Sequence, residues 1–121
     1  MINLSRLADA DALPDIPLIS AVTLAELSVG PLVALADQER TARQAVLQQA
    51  EADFDPVPFD AASARAFGRV AASPRRAGRK PQAYDALTAA VAVARDLPLY
   101  TCHPDDFVGI DGLRVVQVPV P

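Results

Sequence analysis

The chain reads as one three-layer α/β domain with a central parallel sheet, and three observations predict it. Short apolar runs of strand length alternate with longer helix-like stretches, the pattern of βαβ units. A length of 121 residues with 51% hydrophobic content supports one real core and leaves no room for a second. No repeat, low-complexity tract or interdomain linker interrupts residues 1–121, so they form a single domain.

The elements follow in order. Pro17–Ser20 (PLIS) is brief and apolar, as a buried strand would be. Ser20 is placed to cap a helix through Val29, with Gly30 and Pro31 as its stop. Asp37–Phe54, rich in Ala, Gln, Glu and Arg, reads as a mostly exposed helix. Pro56–Phe59 (PVPF) is a strand whose two prolines confine it to a sheet edge. Asp60 caps a helix expected to run to about Ser73 and break at Pro74. Pro81 suits the first turn of the next helix, which should extend to about Asp96. Leu97–Thr101 (LPLYT) and Leu113–Val118 (LRVVQV) complete the strands.

Composition excludes several classes. The apolar runs are short and broken by charge, so none spans a membrane. The N-terminal MINLSRLADADALPD lacks the basic start and apolar centre of a secretory signal, and a single cysteine, Cys102, excludes an internal disulfide. Both fit a reducing, cytoplasmic setting. One histidine and one cysteine cannot build a nitrogen–sulfur zinc site. A metal here is expected on oxygen ligands, which points to magnesium or manganese. The net charge of −4 argues against broad nucleic-acid binding, yet five basic residues fall in Arg69–Lys80 (RVAASPRRAGRK). Alone that patch reads as a solvated helix end; beside an acidic metal site it becomes a phosphate clamp.

Three acids stand out by position. Glu26 is the only charge in Ala21–Val29, Asp85 opens the uncharged Ala86–Ala94, and Asp106 lies in Thr101–Phe107 just after an apolar run. A carboxylate among apolar residues is costly to bury unless something pairs with it, so three of them suggest a shared cation. In open α/β sheets ligands bind beyond the carboxyl ends of the strands, and all three positions are compatible with that end. Each acid also has a plainer reading: Glu26 as an exposed helix edge, Asp85 as a cap or first-turn acid, Asp106 or its neighbour Asp105 as the cap of a short turn.

The segments Ile19–Gly30 (ISAVTLAELSVG), Tyr84–Ala94 (YDALTAAVAVA) and Leu97–Phe107 (LPLYTCHPDDF) together resemble the PIN-domain nucleases, specifically the VapC-type toxins of bacterial toxin–antitoxin pairs. Asp55–Gly68 resembles the strand and helix that connect them, so the likeness covers nearly the whole chain. It implies a PIN-like fold and a magnesium- or manganese-dependent endoribonuclease that leaves 5′-phosphate and 3′-hydroxyl ends. Glu26, Asp85 and Asp106 correspond to the family's acids and would serve as metal ligands and catalytic residues. Asp106 is preferred because it precedes Phe107, with Asp105 as the fallback. Arg75, Arg76, Arg79 and Lys80 become candidate RNA contacts. A small cognate antitoxin, an RNA substrate and a homodimer are the implied partners.

Two departures accompany the resemblance. Family members begin with a central strand ending in an aspartate, whereas Met1-Ile2-Asn3-Leu4 looks like the helix just after it. The first strand and first acid therefore lack a counterpart, through a start assigned too far downstream or a true truncation. Asp9, Asp11 and Asp15 are expected at the surface or as helix caps, and are otherwise candidates for a substitute ligand. His103 stands where relatives carry asparagine; it either helps to position the site or lies in a surface loop. Cys102 reads as a packing residue rather than a nucleophile. The alternatives to a nuclease are a catalytically inactive module that binds an antitoxin without cleaving RNA, and an unrelated α/β interaction domain.

Overall fold

A computed structural model describes residues 1–3, 18–76 and 82–119, and for 74–76 the backbone alone. The elements run β1 (Ile19–Ser20), α1 (Ala21–Val33), α2 (Asp37–Asp53), β2 (Pro56–Val57), α3 (Ala61–Arg76), α4 (Ala83–Ala94), β3 (Leu99–Thr101), a 3-10 turn (Pro104–Phe107) and β4 (Val115–Gln117).

All strand pairing is parallel among the described residues. β1 pairs with β2, Ile19 opposite Pro56, and β3 pairs with β4, Leu99 opposite Val115. Met1–Asn3 joins the two pairs. Ile2 N–H donates to Leu18 O at 2.6 Å, Asn3 N–H to Tyr100 O at 2.8 Å, and Tyr100 N–H to Met1 O at 2.8 Å. The order is therefore β2–β1–(Met1–Asn3)–β3–β4, with β2 on the edge as its prolines require.

The first strand, expected to be missing, has its place taken by this three-residue segment. The cause is burial combined with backbone pairing. Met1 is 3% and Ile2 1% exposed, and consecutive residues of an extended segment face opposite sides of a sheet. Met1 joins a core with Ala66 and Val70 of α3, Ala89 and Val91 of α4, and Leu99. Ile2 joins Ile19 and Ala50 of α2, with Leu27 of α1 packed against them. Each such side chain, fully buried, contributes about 1.5–3 kcal/mol. The sheet thus lies between two helical layers.

Several helix ends obey the sequence. Ser20 caps α1 by accepting Thr23 N–H at 3.0 Å. Asp60 caps α3, its Oδ1 accepting both Ser63 N–H and Ser63 Oγ–H at 3.0 Å. Those hydrogen bonds hold its carboxyl below the ordinary aspartate range. α4 closes in a Schellman motif: Leu97 N–H reaches Ala92 O at 2.9 Å, and Asp96, at φ 52°, donates to Val93 O at 3.2 Å.

Two expected stops are passed. α1 continues through Gly30 and Pro31 to Val33, and α3 continues through Pro74 to Arg76. A proline removes one donor without forbidding the helical path. At α1 the carbonyls near the end find partners on α2: Arg43 Nη1 donates to Gly30 O at 2.8 Å and Arg40 Nη2 to Ala34 O at 3.2 Å. Pro31 itself is buried. Among the described residues no helix is long and apolar enough to cross a membrane.

Candidate active site

Three elements carry the acids. Glu26 projects from the second turn of α1. Asp85 occupies the first turn of α4, where the partial positive charge of the helix end favours a carboxylate. It is not the N-cap: Gln82 holds that position without a side-chain capping bond. Asp105 and Asp106 lie in the 3-10 turn after β3, exposed while their neighbour Phe107, 2% exposed, anchors the turn in the core.

The electrostatics tie three of these acids together. Asp85 is raised to about 6, first by burial, then by the negative charges of Asp106 and Glu26, with His103 pulling the other way. Burial also raises Glu26. As a whole residue Glu26 is exposed, but nearby chain removes water from its carboxyl. Asp106, and not Asp105, is among the groups that act on Asp85.

No three Asp, Glu, His or Cys side chains among the described residues are gathered tightly enough to hold a metal ion as placed. The two observations are compatible, because Coulomb repulsion acts over several ångströms beyond the ~2.1 Å of a magnesium–oxygen bond. The donor chemistry fits a hard divalent cation: carboxylate oxygens with mutual repulsion to relieve.

His103 is half-buried beside Thr101, whose Oγ1 accepts His103 N–H at 3.0 Å and lies 3.5 Å from Asn3 Nδ2. Asn3, an amide, thus stands at the carboxyl end of the central segment. Arg75 and Arg76 lie on the last turn of α3, with side chains outside the described residues. Arg79, Lys80, Asp9, Asp11 and Asp15 also lie outside them. Cys102 is buried, as a packing residue should be. An open pocket lined by Pro31, Leu32, Arg40 and Gln44 sits between α1 and α2 and includes none of the three acids.

Sequence reasoning missed Asn3 and the buried hydroxyls Thr23 and Thr88, and took Ser20 as a helix cap alone. Thr88 left a signal, as the one polar side chain within Ala86–Ala94.

Comparison with known proteins settles the family. A family model described as PIN domain matches residues 3–112. The chain belongs to the PIN-domain family. This PIN domain is 37% identical to Ribonuclease VapC5 of Mycobacterium tuberculosis over 113 residues, covering 93% of the chain and 82% of that protein. It is similar to the crystal structure of VapBC-5, a member of the VapBC family of toxin–antitoxin systems from the same organism. There the TM-score is 0.79, with 93% of this chain and 88% of that one covered. It is also similar to DNA-bound VapBC from Salmonella typhimurium, with a TM-score of 0.71 and 27% identity, covering 83% and 74% of the two chains. These likenesses place this PIN domain with the VapC type.

Proposed function

We propose that the chain is a magnesium- or manganese-dependent endoribonuclease and the toxin of a toxin–antitoxin pair. The observation that carries this reading is Asp85, held near pKa 6 by burial and by the fields of Asp106 and Glu26 at the carboxyl end of the sheet. Mutual repulsion of that kind is expected where a cation belongs. The 37% identity to Ribonuclease VapC5 and the likeness to VapBC structures support the RNA substrate and the antitoxin partner.

Glu26, Asp85 and Asp106 are the residues that would hold the ion. When bound, it would acidify a water and offset charge developing on the phosphoryl oxygens. Asp85 must be ionised to contribute, so the raised pKa makes ion binding compete with a proton. His103 acts on Asp85 in the sense opposite to the acids and would steady its carboxylate. The basic residues Arg75, Arg76, Arg79 and Lys80 would hold the RNA backbone through its phosphates. An antitoxin would find apolar purchase on the α1–α2 face, where Leu32 is 85% and Leu35 98% exposed. A homodimer belongs to the same reading, and sedimentation of the purified chain checks it.

The test is Asp85→Asn. Magnesium-dependent RNA cleavage should fall by about a hundredfold or more, a loss like that from removing one preorganised electrostatic group, with the fold retained. Full cleavage by a folded Asp85→Asn chain would sink the proposal.

Two observations favour a second reading, an inactive module that binds an antitoxin. Asn3 places an amide at the end of the central segment, and no three acids among the described residues are gathered tightly enough to hold an ion. That reading expects antitoxin binding with no hydrolysis in manganese; robust cleavage by the 121-residue chain excludes it.

A further inference from the structure

The N-cap of α1, the helix that carries Glu26, meets α4, the helix that carries Asp85, through a contact between buried hydroxyls. Ser20 Oγ lies 3.1 Å from Thr23 Oγ1 and 3.5 Å from Thr88 Oγ1, and it accepts Thr23 N–H at 3.0 Å. The three residues are 0%, 4% and 4% exposed. Thr23 precedes Glu26 by three residues, and Thr88 follows Asp85 by three. Residues three apart share a helix face, so each acid stands one turn from the cluster.

We propose that the Ser20–Thr23–Thr88 cluster is a positioning device, fixing the approach of α1 to α4 so that Glu26 and Asp85 can close on one cation. It rests on the metal-dependent reading above and adds residues that would set the affinity of that site. The buried positions of α4 around Thr88 are Ala86, Ala89, Ala90, Val91 and Ala92, all apolar. Small apolar contacts hold helices together without fixing their axial register. A buried hydroxyl costs desolvation, and in return its directional bonds select one arrangement when every group is satisfied. That condition is met, since no buried side-chain nitrogen or oxygen lacks a partner among the described residues. Valine has nearly the shape of threonine, so shape alone does not call for a hydroxyl here.

The experiment titrates manganese(II) alone into the full chain, followed by electron paramagnetic resonance, for wild type, Thr88→Val and Thr88→Ser. Thr88→Val should weaken binding by about tenfold or more, the scale of outer-shell substitutions around metal ligands. Thr88→Ser, which keeps the hydroxyl, should restore most of it. In RNA cleavage kcat should fall in Thr88→Val while KM for RNA holds. Should Thr88→Val fail to fold, Ser20→Ala removes the shared hydroxyl without adding volume and is read by the same criteria. Folded Thr88→Val, or Ser20→Ala in its place, that binds manganese within about twofold of wild type overturns the positioning role alone. Wild type that binds no manganese overturns the metal reading, and the inference with it.

Discussion

Helices α2 and α4 have opposite characters, and the contrast explains which charges in this chain carry information. α2 presents Asp37, Glu39, Arg40, Arg43, Glu51 and Asp53 to a largely exposed surface, and buries only Ala50. α4 carries one charge, Asp85, and buries Ala86, Thr88, Ala89, Ala90, Val91 and Ala92. In α2 each acid has water or an arginine nearby, as in the Arg40–Asp37 and Arg43–Glu39 pairs. In α4 the single acid is desolvated and faces other acids. A charge is diagnostic where its surroundings give it no ordinary reason to exist.

Enlarging one alanine on each helix tests the contrast most severely. Ala89→Leu drives three extra carbons into the contact between α3 and α4, where Ala89 is 0% exposed. The expected cost is about 1–3 kcal/mol, or failure to fold, by overpacking. Ala42→Leu on the exposed face of α2 should change stability by no more than about 0.5 kcal/mol. Urea unfolding of both variants checks the pair, and equal costs would mean that α4 is not the central packing helix.

The next effect concerns the sign of the Asp85 titration. Its carboxyl in the folded chain sits near 6, above the ordinary value of 3.8. Between those values the folded chain holds a proton that the unfolded chain has released, so lowering the pH through that window stabilises the fold. Above about 6 the repulsion is felt in full. In EDTA at pH 7.5, Asp85→Asn should therefore be more stable than wild type. Solvent screening of a half-buried carboxylate limits the gain to about 1 kcal/mol, or roughly 3–6 °C for a domain of this size. The gap should close as the pH falls below about 4. A destabilised Asp85→Asn at pH 7.5 would make Asp85 a structural first-turn acid.

The same contrast shows how much was legible in the sequence. The caps at Ser20 and Asp60 could be read because a cap is a local bond between a side chain and a backbone N–H a few residues on. Glu26 and Asp85 could be singled out as candidates because they interrupt apolar stretches. Pro31 and Pro74 misled as stops: in α1 the carbonyls near the end are met by Arg40 and Arg43, thirteen or fewer residues away in sequence but on another helix. Met1–Asn3 carried no strand signal, because three residues cannot display a period, and its pairing depends on Leu18 and Tyr100. The Ser20–Thr88 contact spans 68 residues, a separation that no local pattern encodes.

Smaller again is the effect of the basic segment. Arg79→Ala with Lys80→Ala should raise KM for RNA several-fold and leave kcat within error, because cations on the phosphates hold the substrate without touching the reacting bond. The salt dependence of binding to single-stranded RNA should flatten by about 0.7 in slope for each phosphate deprived of its cation. An unchanged slope would return Arg79 and Lys80 to the role of a solvated helix end, and leave the acids without an electrostatic partner for the RNA backbone.

The smallest effect is expected at the most visible ion pair. Arg43 contacts Glu39 one turn away on α2, both side chains partly open to solvent. Exposed i,i+4 pairs contribute about 0.3–0.5 kcal/mol, so Glu39→Gln should cost no more than that. Arg43 has a second task, its bond to Gly30 O near the end of α1, which Glu39→Gln leaves in place. Arg43→Ala removes both and should cost more, the excess measuring what α2 contributes to carrying α1 past Pro31. Equal costs for the two substitutions would mean that the α1 end holds without help from α2, and that Pro31 is tolerated through its own burial.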